Sequence, residues 1–533
     1  MFGRKTIAYL RMGFTESEVK MKKSVLLNKL TPPKEKTKME VSLEDALDLA
    51  GAGKYQVFHC ALMLTTLSSA VIEMIGNAFI LPAAACDLEL PDTLKGILIS
   101  MPNIGVILTA PFWGRAADNL GRKPVLLGSA AASGAIGFAA AFMPNLATFA
   151  LCKLAASLFL ACPSSLGWAY ASELVPRRRR DLALLVINGF LTTSSTLSPL
   201  LAWGILPLNL PAAINVRPWR LLTAAYAFPL LLVAFWLTLA KESPKFLMTK
   251  GRQEQALDVL SHIYSVNTGA PPDMYPVTSI KKCGQRRDSS SEEGSSCELA
   301  PQPKNTTVWA LLRSPHLKWL ALTGFLMFGL FSLLNGLFLF APDTINKVMQ
   351  GAAEEEGTLC LLMNQSDNQT SSSTCVDSIS QNTFIIMAVT TAVYGAAVMA
   401  VSLLPISKKN LLVGMFLCVG VTCLLAGLLK NRTAAGVLMS ALQITALGIG
   451  PLTAYAVQLF PTSLRGTAVG AVLMCGRLGS VIGASAAGAL LAVACAATFH
   501  GFTALLFLCA ALSLLLPGAK KSPPSAAHSE AEG

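Results

Sequence analysis

The sequence predicts an all-α membrane protein, with twelve transmembrane helices arranged as two six-helix halves. Three observations carry that prediction. Hydrophobic residues make up 53% of the 533 and charged residues only 14%, where a soluble domain carries about 25% charged residues. Twelve apolar runs are each long enough to cross a bilayer, which takes roughly 20 residues. Finally, YASELVPRRRR at 170–180 and YAVQLFPTSLR at 455–465 share Tyr, Ala, Leu, Pro and Arg at the same offsets, and each follows the fourth run of its half.

Residues 1–54 are polar and basic and lack the short apolar core of a cleaved signal. They are expected to be a cytoplasmic tail, with the first run acting as the insertion signal. Within them, 1–40 reads as a disordered basic stretch. Ser42 followed by Asp45 fits a capping box, so a short amphipathic helix starts there and ends at Gly51-Ala-Gly53. The apolar runs cover 57–81, 96–112, 124–142, 147–170, 182–206, 219–240, 318–341, 384–405, 411–429, 433–457, 467–488 and 496–516. The first half is therefore 55–240 and the second 317–517, with a cytoplasmic tail at 518–533. Between the halves, 241–316 is a long cytoplasmic loop. Its first part, KESPKFLMTKGRQEQALDVLSHIY, has helical periodicity suited to a membrane surface. Its second part, around RRDSSSEEGSS, is low in complexity and reads as disordered.

The net charge of +12 does not point to nucleic acid, because Lys and Arg sit between the apolar runs and not on one face. Basic residues beside short spans mark the cytoplasmic side. The turn GRAADNLGRKP at 114–124 puts Arg115, Arg122 and Lys123 there with one anion, Asp118, and with Gly114 and Gly121 as turn residues. The opposite loops hold few cations (Lys95, Arg217, Arg220, Lys347, Lys430, Arg432), so both termini are expected inside. The outer loop 342–383 carries two glycosylation acceptors, Asn364-Gln-Ser366 and Asn368-Gln-Thr370. Cys360 and Cys375 flank them. An oxidising exterior favours a disulfide between these two, and the alternative is a pair of free thiols. The other cysteines are scattered without metal-type spacing, and no cofactor is expected.

Parallel repeats of two six-helix units belong to alternating-access transporters, with the substrate at the interface between halves. The pattern Gly-x-x-x-Asp-x-x-Gly-Arg-Lys resembles the signature between helices 2 and 3 of the major facilitator superfamily. VIEMIGNAFILPAAACDLEL (71–90), the segment at 170–180, AWGILPL (202–208), ESPKFLMTKGRQEQAL (242–257) and LFPTSLRGTAVG (459–470) follow in the right order. Together they resemble the branch containing synaptic vesicle glycoprotein 2 and its relatives, near the sugar and organic ion transporters. That glycoprotein has a much longer outer loop between helices 7 and 8, so whatever depends on its full-length loop does not carry over.

The resemblance implies a cytoplasmic gate. Arg115, Asp118 and Arg122 are expected to interact with Glu173 and Arg180 after helix 4, and with Glu242 and Lys245 after helix 6; Asp118 is also expected to cap a helix of the other half. Arg465 is the second-half counterpart, where Gln458 replaces Glu173 and Lys408-Lys409 replaces the long loop, so the latch there is weaker. Topology charge without gating is the alternative. Charges inside spans are the sharper signal, because each is costly unless it faces a cavity or a partner. Arg477 lies about twelve residues past the inner boundary, roughly 18 Å deep at about 1.5 Å per residue. In related organic anion carriers a basic residue at the matching position looks substrate-linked; the alternative is an Arg bound to backbone carbonyls. Glu73, with Asn77 one turn on, is a buried carboxylate suited to taking up a proton and coupling it to transport, or else a partner for a basic residue. Lys153 replaces the Arg that many family members carry, with small neighbours Ser157 and Ala161 that allow close packing. Tyr455 and Asn335 are further cavity candidates.

No nucleotide loop of the Gly-x-x-x-x-Gly-Lys type, no HExxH and no nucleophile with a recognisable base is present, so no enzymatic activity is expected. The expected function is secondary active transport of a small organic solute by a monomer in the lipid bilayer of the plasma membrane or a vesicle, with an organic anion as one candidate solute and protons as one candidate coupling ion. The alternative is a non-transporting receptor or vesicle regulator on the same fold, because fold does not fix function.

Overall fold

The computed structural model describes residues 39–208, 217–281, 311, 313, 316–350, 357–363, 379–402, 404, 406–461, 464–491 and 493–517. Among the described residues, twelve helical segments are long and apolar enough to cross a membrane, and we number them as spans. Spans 1 to 6 are Lys54–Ala84, Leu94–Leu120, Arg122–Ala140, Leu146–Glu173, Arg177–Ile205 and Pro218–Leu237. Spans 7 to 12 are His316–Met349, Gln381–Val401, Lys408–Leu428, Arg432–Leu459, Arg465–Leu490 and Cys495–Ser513. Each predicted run falls on one of them.

Span 2 was expected to end at 112 and instead stays helical to Leu120, with Arg115 and Asp118 exposed along it. Polar side chains at a helix end do not stop a helix whose backbone is satisfied. The break falls on Gly121, whose φ of +117° is open to glycine and disfavoured for other residues. A Cβ at that position would also sit 2.3 Å from Glu242 Oε2.

Span 5 also differs from the unbroken 182–206 run. It begins at Arg177, just after Pro176, and divides into Arg177–Ser194 and Leu197–Ile205. The cause is local. The hydroxyls of Thr192, Thr193, Ser194 and Ser195 bond back to carbonyls three or four residues earlier, competing with the backbone ladder. Pro199 has no N–H for the Ser195 carbonyl, which takes the Ser198 N–H at 3.2 Å instead. Span 10 has a matching irregularity, a 3₁₀ stretch over Leu442–Gly448. Pro451 follows, so the Leu447 carbonyl has no i+4 donor.

In the first half, span 3 packs on spans 4 and 6, and span 1 on the same two. In the second, span 7 packs on 11 and span 9 on 12. The halves meet along spans 2 and 11 and along spans 5 and 8. In lipid no hydrophobic drive pulls helices together, so close approach depends on small residues. A Cβ at Gly96 of span 2 would lie 2.4 Å from the Ala484 carbonyl oxygen, and one at Gly488 would lie 2.9 Å from the Gly96 Cα. Beside this contact Lys95 Nζ stands 3.4 Å from Asp343 Oδ2, joining spans 2 and 7. This end of the bundle, opposite the Gly121 turn, is called the far end below.

A small cap covers the turn end of the first half. Strand β1 (Met39–Val41) pairs in parallel with β2 (Val277–Ile280), so Met39 and Glu40 are strand residues and not part of a disordered stretch. The pairing partner lies far along the chain, beyond the reach of local pattern. The helix Leu43–Ala50 is capped as expected, with Ser42 Oγ accepting from the Asp45 N–H at 3.2 Å. It packs on the loop helix Gln253–Thr268. Asn267 fastens the joint: its Nδ2 donates to the carbonyls of Ala50 and Gly51 and to Gln56 Oε1, while Oδ1 accepts from the Tyr55 N–H.

The expected Cys360–Cys375 bridge is overturned. Cys360 is bonded to Cys495 at the start of span 12, with the Cα atoms 5.5 Å apart. The short helix at 359–363 buries Leu359, Leu362 and Met363 in the main core, which seats Cys360 against span 12. Cys86 is disulfide-bonded as well. Cys375, Asn364 and Asn368 lie outside the described residues.

Candidate functional site

Three groups of polar side chains stand out, at three levels of the bundle. At the turn end, Arg122 is the hub. Its Nη1 donates to Asp118 Oδ1 and to the Ala117 carbonyl, both at 2.8 Å, and its Nε lies 3.4 Å from the Glu173 carboxylate. Span 3 begins at Arg122, and its first amides are exposed donors. Glu242 satisfies them: Oε1 accepts from the Arg122 N–H at 3.1 Å and the Lys123 N–H at 3.3 Å. A carboxylate at a helix N-terminus also complements the helix dipole. The cap is therefore Glu242, at the start of the loop that follows span 6. Asp118, expected to cap a helix of the other half, is spent on Arg122 one turn away.

Arg180 departs from expectation as well. Its Nη2 pairs with Glu44 of the N-terminal helix at 2.9 Å, a residue that sequence reasoning missed. Exposed Lys245 lines the same shallow pocket as Glu44, Glu173 and Arg180. Lys123 Nζ reaches the Thr238 carbonyl. Gly114 and Arg115 are exposed, with open space where a Gly114 Cβ would stand. Arg465 starts span 11 and makes no hydrogen bond to this cluster among the described residues.

Deep in the first half, Lys153 Nζ donates to Glu73 Oε1 at 2.6 Å, and both side chains are only 4% exposed. Spans 1 and 4 pack side by side, which brings the pair together. Gly137 of span 3 lies against the pair, since a Cβ there would stand in ordinary contact, 3.5 Å, with Glu73 Oε1. Glu73 Oε2 and Asn77 Oδ1 have no hydrogen-bond partner among the described residues. Burial of this kind demands pairing, because an isolated ion in the bilayer is costly. Lys153 thus has an ionic role as well as a packing one.

The third group spans the seam between halves. Arg477 of span 11 donates from Nη1 to Asn103 Oδ1 of span 2 at 2.8 Å, and its guanidinium lies 5.5 Å from the Phe331 ring centroid. Asn335 Nδ2 donates to Ser480 Oγ at 2.9 Å on the same faces of spans 7 and 11. Asn103 went unnoticed although Asn77 and Asn335, amides inside other spans, were singled out; a polar residue inside the apolar run of span 2 was the available signal. Tyr455 does not join this group. Its hydroxyl donates to the Pro517 carbonyl at 3.0 Å, after span 12 and away from the seam.

Twelve spans in two halves, with Glu, Lys and Arg side chains inside and between them, define a multi-pass integral membrane protein. A family model, the Major Facilitator Superfamily, matches residues 61–363. The chain belongs to that superfamily. It is similar to synaptic vesicle glycoprotein 2A of Homo sapiens, 27% identical over 260 residues that make up 47% of this chain and 35% of that protein. It is 28% identical over 239 residues to synaptic vesicle glycoprotein 2C of Rattus norvegicus, covering 43% of this chain and 33% of that one. The chain thus spans about a third of the length of these curated relatives. The xylose transporter XylE from E. coli, in a partially occluded inward-open conformation, superposes with a TM-score of 0.60 at 15% identity over 88% of this chain and 99% of XylE. A D-xylose-proton symporter superposes at 0.58 and 16% over 87% of this chain and 98% of that one. At these identities the likeness is one of fold.

Proposed function

We propose that the chain is a secondary active transporter that moves a small organic anion, coupled to protons, by rocking its two six-helix halves about a central site. The observation that carries this reading is Arg477. It sits on the seam with an amide and an aromatic ring as its described contacts and no carboxylate among them. A cation held inside a bilayer without a counter-ion invites an anionic ligand. The halves touch through Gly96, Ala484 and Gly488 at the far end, while the turn-end charges pair within the first half and the loop that follows it. Although Met399 of span 8 also meets Gly189 of span 5, the lack of an ion pair between the halves at the turn end among the described residues supports a molecule open there. With the basic turn in the cytoplasm, this is an inward-facing state with both termini inside.

Glu73, paired with Lys153 and carrying one oxygen without a partner, is the group proposed to take up the coupled proton. The description of one structural neighbour as a proton symporter supports proton coupling as such. The test is uptake into proteoliposomes of a panel of organic acids, organic cations and sugars, with and without a pH gradient. The expected result is gradient-stimulated uptake of an organic acid that Arg477→Ala abolishes and that loses its pH dependence in Glu73→Gln. No uptake of any class refutes the proposal and favours a receptor on the same fold.

A further inference from the structure

We infer that the turn end of spans 7 and 11 holds the headgroup phosphate of an anionic phospholipid of the cytoplasmic leaflet, at Arg465 and Lys318. The site shares the orientation of the transport reading, turn end inward, and does not require transport. It begins with an imbalance of charge. Residues 379–517 contain no Asp or Glu, and over 311–350 the sole carboxylate is Asp343, at the far end. On the first half's face Arg122 meets Asp118 and Glu173, and Arg180 meets Glu44. On the second half's face Arg313, Lys318, Lys408, Lys409 and Arg465 have no carboxylate to draw on from the described residues of their own half.

Packing gathers two of these cations. Leu311, Phe460, Leu464 and Ala468 form a small buried cluster at this end, and Trp319 packs against it. The His316 ring centroid lies 6.0 Å from that of Phe460, which seats the start of span 7 on the turn before span 11. Exposed Lys318 holds its Nζ 5.5 Å from the Trp319 ring centroid, and Arg465 follows Leu464 directly. Both cations therefore border one cluster. Arg465 Nε is buried and has no hydrogen-bond partner among the described residues. The Nε of its repeat counterpart Arg180 is unpaired too, but there Glu44 holds Nη2; Arg465 has no such anion. A buried N–H of a charged group is costly to leave unmade, and native proteins rarely do so. A guanidinium presents its N–H groups as a planar fork that fits two oxygens of a phosphate. Trp favours the headgroup level of a bilayer, where lipid phosphates stand, and the anionic leaflet is the cytoplasmic one. Arg465 and Lys318 beside Trp319 thus fit a lipid phosphate better than a soluble anion.

The test is native mass spectrometry of the full-length protein in detergent, titrated with dioleoyl phosphatidylserine or dioleoyl phosphatidylcholine, and with inorganic phosphate as competitor. Wild type is expected to retain phosphatidylserine about tenfold more tightly than phosphatidylcholine, the scale of one hydrogen bond to a charged group. Arg465→Gln is expected to bring the two lipids within about twofold. Lys318→Gln, at an exposed position, should lower the ratio by about threefold and carries the test if Arg465→Gln does not fold. Lys408→Gln removes an equal charge from the same face outside the cluster and should leave the ratio unchanged. Equal retention of the two lipids by wild type, or a ratio that survives both cluster variants, overturns the site. A loss in Lys408→Gln as large as in Arg465→Gln overturns it too, because the preference then belongs to diffuse surface charge. Displacement of phosphatidylserine by inorganic phosphate at matched concentration assigns the anion to a soluble source and likewise overturns it. None of these outcomes touches uptake, so the transport reading stands or falls by its own assay.

Discussion

Removing Lys153 alone should cost far more than removing it together with its partner. The Lys153–Glu73 contact is 2.6 Å long between side chains that are each 4% exposed, so solvent cannot replace the lost partner. Breaking a buried pair from one side costs about 3–5 kcal/mol, whereas exchanging both members for apolar groups of similar volume is near neutral. At about 2–4 °C per kcal/mol for a folding unit of 150–250 residues, Lys153→Met should lower the melting temperature by about 6 °C or more. Glu73→Met combined with Lys153→Met should restore most of that loss. The assay is thermal unfolding of detergent-purified protein followed by fluorescence-detected gel filtration, run on both single variants and the double. Additive effects, with the double variant as unstable as the sum of the singles, would refute the claim that the two groups hold each other in place.

Three further outcomes follow from the same geometry. Glu242→Ala leaves the first amides of span 3 uncapped and should cost about 1 kcal/mol, with Glu242→Gln recovering part of it, read in the same thermal assay. His262 on the loop helix has its pKa held below the ordinary 6.5, chiefly by partial burial and then by the nearby Lys241 charge. The unfolded chain binds that proton more readily, so stability should fall as pH drops below about 6.5, and His262→Gln should flatten that slope. Gly96→Val places a side chain where a Cβ already meets the Ala484 carbonyl at 2.4 Å. The far end should then spread, raising maleimide labelling of a reporter cysteine at Leu94 several-fold.

Much of the fold was legible because spans are read by length and hydropathy, and a run of about 20 apolar residues has few other readings. What the sequence hid was set by single residues and distant partners. Gly121 carries the whole turn, while Arg115 and Asp118 remain helical, so a charge-rich string looked like a longer loop than it is. The hydroxyl run 192–196 divides span 5 without lowering its apolar content enough to interrupt the pattern. Glu73 and Lys153 were each visible as intramembrane charges, but their pairing depends on the contact of spans 1 and 4, which no local pattern encodes. The Arg180–Glu44 pair, the Asn267 joint and the Cys360–Cys495 bridge all connect segments far apart in the chain. Proximity in sequence pointed Cys360 toward Cys375; packing of 359–363 against span 12 decided otherwise.

The most direct test of rocking halves is to fasten them at one end. Lys95→Cys and Asp343→Cys place one thiol in each half at the far end, where the native side chains lie 3.4 Å apart, and a short bismaleimide can bridge them. In proteoliposomes the account predicts that bridging abolishes uptake while the unbridged double variant still transports. Uptake at the unbridged rate in fully bridged protein would contradict it.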